Sequence, residues 1–473
     1  MRMLTQLYPY QRAAADKLIG LRVGALYMEM GTGKTRTALE LIQRRLAAGK
    51  IAHVLWLCPC SVRVNLRSDI AKHAEGALQA IAIYGIESLS SSTRIYGLLD
   101  RYVSAAPTML VVDESLLVKT PWAIRTRRVT RLAAKCPYRL ILNGTPVGRD
   151  EADLFAQWYL LDWRILGYQS YYSFAANHLE YDERFRRKVR RTLHIDYLAD
   201  KIAPYSYVAT KEECLKLPDK AHYIKSFEFT EAQREEYERV LTLYLNSFVE
   251  RADALGDAAI YRAFTALQEV SSGRRIISPV DKPIRHERMF APMDNPRIQA
   301  LLDGIAHMED GKIVIWCKFT HEIEDVVSAL ERTYGLGCAA QFHGKIRPNA
   351  RDAALERFRG ETRFLVANKG CAGLGLNLQH CHMAIYYNND WNWAMRVQSE
   401  DRIHRIGQEH TVKILDICAD AGIDGQILRC LDRKEHLADR LRSELNDRNA
   451  DAWLRARADD VLKEGLSNDW HRL

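Results

Sequence analysis

A chain of 473 residues has room for two to three domains at roughly 150 residues each, and can bury a large core without disulfide or metal staples. Its 47% apolar and 27% charged residues are ordinary for a soluble globular protein. No window approaches the ~20 consecutive apolar residues of a membrane span, and the start, MRMLTQLYPYQRAAADKL, lacks the apolar run of a signal peptide. A net charge of +8 fits a polyanionic partner without requiring one. Ten cysteines are scattered without a CxxC pair, the closest being Cys58 and Cys60, and read as reduced, mostly buried thiols. These features lead to the expectation of a cytoplasmic or nucleoid-associated protein.

In chain order, short apolar runs that end in turn or polar chemistry come first: GALYM (24–28), HVLWLCP (53–59), TMLVVD (108–113) and YRLILNG (138–144). Such runs suit strands buried on both faces. Helix-period segments such as TRTALELIQRRLAAG (35–49) separate them, and this βαβα order predicts a parallel sheet covered by helices. From about 151 to 290 the chain is aromatic, charged and mainly helical in pattern, as in TEAQREEYERVLTLYLNSFVERADAL (230–255). Strand-like runs then resume: KIVIWC (312–317), CAAQFHG (338–344), RFLVAN (363–368), MAIYYN (383–388) and VKILDIC (412–418). The tail from about 424 reads as charged helices. Basic residues cluster at Arg125, Arg127, Arg128 and Arg131, at Arg184, Arg186, Arg187, Lys188, Arg190 and Arg191, and at Arg274 and Arg275. Each run is either a solvated face or a contact to a polyanion.

Two motifs carry chemistry. MEMGTGKT (28–35) follows a strand candidate and opens a helix, the context a phosphate loop needs. Small residues let the backbone wrap phosphates, with N–H groups pointing inward at a helix N-terminus. Lys34 then reaches the β and γ phosphates and Thr35 holds Mg²⁺. The general pattern wants glycine six residues before the lysine, where Met28 stands. The second motif, TMLVVDES (108–115), delivers Asp113 and Glu114 to the C-terminal edge of a sheet. There Asp113 binds Mg²⁺ through water, and Glu114 orients or deprotonates the attacking water.

These residues resemble the Swi/Snf ATPases of helicase superfamily two. MEMGTGKT is similar to their D-E-M-G-x-G-K-T loop, and LYPYQ (7–11) to their adenine-recognition element. HVLWLCPCSVRVNLRSDIAKH (53–73) resembles motif Ia, LNGTPVGRD (142–150) motif III, and LKLPDK (215–220) the LP-x-K signature. IVIWCKFTHEIEDV (313–326) and FHGKIRPNARDAALERFRG (342–360) resemble the opening of the second lobe. FLVANKGCAGLGLNLQ (364–379) resembles motif V and WNWAMRVQSEDRIHRIGQ (391–408) motif VI. The match runs in order from about residue 7 to about residue 440.

The resemblance implies an α/β chain with two RecA-like lobes: 1–150 an ATP-binding lobe, 151–290 helical insertions and a connector, 291–440 the second lobe, and 441–473 a helical tail. It implies ATP and Mg²⁺, with double-stranded DNA as a sequence-tolerant partner, a possible targeting protein, and a monomeric motor. ATP would lie in the cleft between lobes, its adenine near Tyr8 and Gln11. Met30, Gly31, Thr32, Gly33, Lys34, Thr35 and Gly375 complete the nucleotide site, with Thr35 and Asp113 on the metal. Gln398, Arg402 and Arg405 follow a Q-x-x-x-R-x-x-R spacing that places them on one helical face. Two guanidiniums there would grip the γ-phosphate, since arginine is planar and always charged. DNA backbone contacts map to Ser61, Arg63, Thr145, Lys318, His343, Lys369, Gly373 and Asn377.

The departures are specific. The family's leading Asp is Met28, and its DEAH or DESH reads DESL, so Leu116 replaces a histidine that helps link the γ-phosphate sensor to DNA. That bears on coupling rather than on hydrolysis. The proline usual after WN is Trp393, and the arginine cluster before LP-x-K has as its basic residues Lys211 and Lys216. The chain resembles a minimal motor of bacteria and their phages. A strand-separating helicase, an RNA-directed motor and a non-catalytic DNA-binding scaffold remain alternatives. The process, whether DNA repair, recombination, transcription or phage replication, stays open.

Overall fold

Residues along a strand face opposite ways in turn, so a strand covered on both faces must be apolar at nearly every position. The computed structural model, which describes residues 1–147, 151–181, 189–215, 217–250, 257–372, 376–432 and 471–472, shows this arrangement twice. Contacts divide the chain into one unit with Met1–Leu217 as its body and another comprising Pro218–Gly373 and Asn377–Leu473.

The first unit holds a six-stranded sheet of β1 (Val23–Met28), β2 (His53–Cys58), β3 (Ile81–Gly85), β4 (Thr108–Asp113), β5 (Tyr138–Asn143) and β6 (Ser206–Ala209). Their order is β6-β1-β5-β4-β2-β3, and every pairing is parallel. Alternate residues divide between two cores. Tyr27, Leu55, Leu57, Leu110, Val112 and Ile141 face one, while Leu26, Met28, Trp56, Met109, Val111 and Leu142 face the other.

The second unit holds β7 (Lys220–Phe227), β8 (Ile313–Cys317), β9 (Ala339–Phe342), β10 (Phe364–Asn368), β11 (Met383–Tyr386) and β12 (Val412–Ala419). Their order is β9-β10-β8-β11-β12-β7, again all parallel, with His471–Arg472 beside β7. The helix Pro296–Ala306 packs against this sheet through Gly304. A Cβ there would stand 2.7 Å from Leu415 Cδ2, so glycine sets the close approach.

All nine strands expected from the sequence form, within a residue or two of their expected ends. Among β1–β12 of the two large sheets, three further strands, β3, β6 and β7, were not anticipated. The span 151–290 is not purely helical. Beside the helices Ala152–Leu166, Tyr171–His178, Ile195–Ile202, Glu231–Glu250 and Asp257–Ser271, it supplies β6, β7 and two small hairpins. The contact division falls inside it, so that residues up to Leu217 join the first unit and those from Pro218 the second. Arg274, in a run expected to be either a solvated face or a polyanion contact, is instead buried in an ion pair with Asp325. No helix among the described residues is long and apolar enough to cross a membrane. Arg184, Arg186, Arg187, Lys188, Lys216, Gly373 and Gly375 lie outside the described residues, as does the expected helical tail beyond Asp432 apart from His471–Arg472, while its start forms the helix Ile423–Asp432.

Candidate active site

In open parallel sheets, ligands gather at the carboxyl ends of the strands. In the first unit β1, β5 and β4 are neighbours, so the loops after them lie side by side. They are the loop 29–33, the turn after Asn143, and the segment beginning at Glu114.

The loop after β1 is built for close wrapping. Gly31 and Gly33 have φ of 84° and 86°, the left-handed region that glycine adopts without strain. Gly33 then caps the helix Lys34–Ala47. A Cβ on Gly33 would meet Gln11 Nε2 at 2.2 Å and would push that amide off the loop, on top of the strain of the positive φ. Gln11 is 2% exposed, and its Nε2 donates to the Thr32 carbonyl at 3.0 Å. Its Oε1 accepts from Tyr8 N at 3.1 Å, and Tyr10 Oη donates to the same Thr32 carbonyl at 2.9 Å. The upstream element thus braces the loop. Tyr8 is 47% exposed and stacks on Tyr10 with ring centroids 5.8 Å apart, an aromatic face available to a base. Lys34 Nζ donates to the Met28 carbonyl at 2.7 Å, bridging the loop's two ends. Met30 is half-buried in the loop, and Thr35 stands in the first turn of the helix.

Asp113 ends β4, and its Oδ1 accepts from Glu114 N at 3.0 Å. Burial, with the Glu114 carboxylate beside it, pushes Asp113 up to about 7, while the Lys34 ammonium nearby pulls the other way. Glu114 has φ 50° and ψ 57°, a left-handed backbone that costs a non-glycine residue of order 1–3 kcal/mol and tends to mark functional positions. The glycine cradle, the lysine at its end and two carboxylates at the end of a strand two places along suit a nucleotide triphosphate with Mg²⁺.

Sequence reasoning missed Gln157. Ser115 Oγ donates to Gln157 Oε1 at 2.5 Å. Gln157 Nε2 in turn donates to the carbonyls of Pro146, at 3.1 Å, and Asp153, at 2.9 Å. Both Ser115 and Gln157 are fully buried. The acidic segment is therefore tied to the Thr145–Pro146 turn through a glutamine on the helix Ala152–Leu166. Leu116 sits half-buried in the single turn Ser115–Val118. Ser61, Arg63 and Thr145 are exposed.

In the second unit the expected shared face of Gln398, Arg402 and Arg405 does not form. The helix Trp393–Glu400 ends before the arginines. Tighter bonds follow, from Arg402 N to the Ser399 carbonyl at 3.3 Å and from Ile403 N to the Glu400 carbonyl at 3.1 Å. The Arg402 carbonyl, which a continuing helix would use, accepts from Leu378 N at 3.0 Å. Arg402 and Arg405 are thus carried on turns, and Arg405 Nη1 donates to Asn377 Oδ1. The helix itself is anchored by Arg396, whose guanidinium meets Asp416 at 2.5 and 2.9 Å and Glu400 at 2.7 Å.

Lys318, His343 and Lys369 follow β8, β9 and β10 but point inward. Lys318 Nζ donates to Gln268 Oε1 and stands 3.5 Å from the Trp391 ring centre, and burial lowers it to about 8. Lys369 is 4% exposed, donates to the Asn388 carbonyl at 3.2 Å, and is lowered by burial to about 7. His343 is buried, and its Nδ1 lacks a hydrogen-bond partner. Among the described residues Lys318 and Lys369 brace the sheet's carboxyl edge instead of extending from it, and His343 is withdrawn from the surface.

A glycine cradle opening a helix, with an acidic pair on a nearby parallel strand, defines a phosphate-loop protein, here followed by a second parallel α/β unit. The SNF2-related domain family matches residues 20–276, and the helicase conserved C-terminal domain matches residues 296–407. The first match alone covers more than half of the chain, which belongs to the SNF2-related family, within helicase superfamily two. An uncharacterized ATP-dependent helicase of Bacillus subtilis, YqhH, is 22% identical over 477 residues, covering 93% of this chain and 80% of that protein. An uncharacterized ATP-dependent helicase of Mycoplasma pneumoniae is 23% identical, covering 92% of this chain and 42% of that one. A Sulfolobus solfataricus SWI2/SNF2 ATPase core, solved in complex with dsDNA, is similar at 20% identity and a TM-score of 0.40, with 98% of each chain covered.

Proposed function

We propose that this chain is an ATP-dependent translocase on double-stranded DNA. The observation that carries the reading is the braced phosphate loop, with Lys34 at its end and Asp113-Glu114 on a nearby strand, in a chain of the SNF2-related family. Lys34 leaves the Met28 carbonyl to meet the β and γ phosphates, a short swing for a flexible side chain. Thr35 and Asp113 would hold Mg²⁺, which would neutralise charge developing on the phosphates. Glu114 accepts a proton from, or orients, the attacking water. Arg402 and Arg405 of the second unit are assigned to the transferring phosphoryl group from the family order of motifs, with Gln398 as their companion.

For DNA, exposed Ser61, Arg63 and Thr145 are assigned to the backbone, where contacts are sequence-tolerant. Lys318, Lys369 and Asn377 support such contacts from within, each through the bonds described above, and His343 is assigned to the same surface from the family order of motifs. Displacement of a third strand from a triplex, run beside unwinding of a plain duplex, tests translocation. Third-strand displacement with ATP, lost in Lys34→Ala, is the expected result. No displacement by a chain that hydrolyses ATP would overturn it, and unwinding of the plain duplex would make it a helicase.

A further inference from the structure

Away from the nucleotide loop, three side chains from three elements of the second unit converge. Glu269 comes from the helix Asp257–Ser271, His286 from the hairpin strand His286–Arg288, and His321 from the first turn of the helix Thr320–Tyr334. One ligand atom from each lies within 4.8 Å of the other two. His321 Nε2 stands 3.0 Å from Glu269 Oε2, and His286 Nε2 stands 3.8 Å from Glu269 Oε1. The two imidazoles are 4.4 Å apart, centre to centre.

The carboxylate is 4% exposed, so its charge demands compensation. Nearby cations are directed elsewhere. Arg274 and Arg288 both pair with Asp325, and Lys318 Nζ bonds Gln268 Oε1. Despite the short approach, neither Glu269 Oε2 nor His321 Nε2 has a hydrogen-bond partner, and His286 Nδ1 has none either. Donor atoms that crowd together without hydrogen-bonding one another are arranged as lone pairs around a common cation are.

We propose that Glu269, His286 and His321 form a binding site for a zinc-class divalent ion. Two imidazoles and a carboxylate are a zinc ligand set, with a fourth position left for water. At bond lengths of about 2.0–2.2 Å, ligands of one ion sit a little over 3 Å apart, so small side-chain rotations close the site. The ion would staple the hairpin to two helices and steady Gln268, the acceptor of Lys318, one residue from Glu269. The site is separate from the Mg²⁺ position assigned to Thr35 and Asp113.

The test uses the nucleotide-free full chain, stripped with a chelator and dialysed against zinc, then against cobalt for its visible spectrum. One ion per chain is expected, with cobalt bands of a nitrogen–oxygen site and a rise in melting temperature on zinc addition. His286→Asn with His321→Asn should lose the ion and the thermal shift while keeping the far-ultraviolet circular dichroism. Glu269→Gln, which keeps the buried shape, should lose the ion as well if the double variant fails to fold. No bound zinc, zinc retained in a folded variant, or a cobalt spectrum with thiolate charge-transfer bands would each overturn the proposal.

Discussion

Lys34 closes on the Met28 carbonyl at 2.7 Å, and a bound phosphate has to replace that bond. Because the loop uses the carbonyl of residue 28, its side chain is free to join the core, and Met28 is fully buried there. The departure from the family's Asp therefore leaves the loop intact. Lys34→Ala should lower ATP turnover by about 10²–10³-fold or more, the scale of losing one donor to developing charge. Steady-state hydrolysis measures it, and turnover within a few-fold of the parent contradicts the site. Asp113 offers a pH test. Its pKa is raised on folding, so the stability it contributes is complete below its ordinary value of 3.8 and is lost as pH rises through about 7. The nucleotide-free chain should lose more stability than Asp113→Asn does across that window. Melting temperatures against pH that run parallel for the two would contradict the assignment. A metal ion needs the ionised carboxylate, so Mg²⁺ binding should release a proton below pH ~7.

Single helices and turns connect these residues. Gln157 links Ser115 to the Pro146 carbonyl, beside the position where Leu116 replaces the family's histidine. Gln157→Leu takes the partner from buried Ser115 and releases the half-buried Pro146 carbonyl, at a cost of about 1–3 kcal/mol. Urea unfolding of the first unit should show this loss, and an unchanged midpoint would make the link incidental. Arg396 and Arg402 separate structure from chemistry on one segment. Arg396→Ala strands the buried carboxylates of Asp416 and Glu400 and should destabilise the second unit by about 3–5 kcal/mol. Arg402→Lys keeps a cation at this buried position, so it should cost less stability than Arg396→Ala while cutting turnover steeply, since lysine cannot grip a phosphoryl group bidentately. The reverse pattern would reassign both residues.

What the sequence disclosed at this scale was what is local. The phosphate loop and the nine apolar strands are set by neighbours in sequence, and both were readable. β7, KAHYIKSF, was hidden because it lies toward the edge of its sheet and carries lysines and half-covered positions, with its partners in β12 more than 190 residues away. β6 is four residues long, and β3 alternates buried and half-buried positions after a helical turn. The Arg402–Arg405 turn was misjudged since the bond that ends the helix comes from Leu378, far off in sequence. Lys318 and Lys369 read as surface cations because nothing near them in sequence announces Gln268, Trp391 or Asn388.

The whole molecule joins a phosphate-loop unit to a second parallel α/β unit, and its proposed work depends on a polyanion. A net charge of +8 and backbone contacts through residues such as Arg63 predict salt-sensitive, sequence-tolerant DNA binding. The log of affinity should fall linearly with the log of salt, with similar slopes for unrelated duplexes. A sequence-dependent slope would point to base reading instead. The central claim is that ATP hydrolysis answers to duplex DNA, and steady-state ATP turnover with and without a long duplex tests it directly. The account predicts low turnover alone, a several-fold or greater rise with duplex, and no turnover with Lys34→Ala in either condition. Equal rates with and without duplex would contradict it.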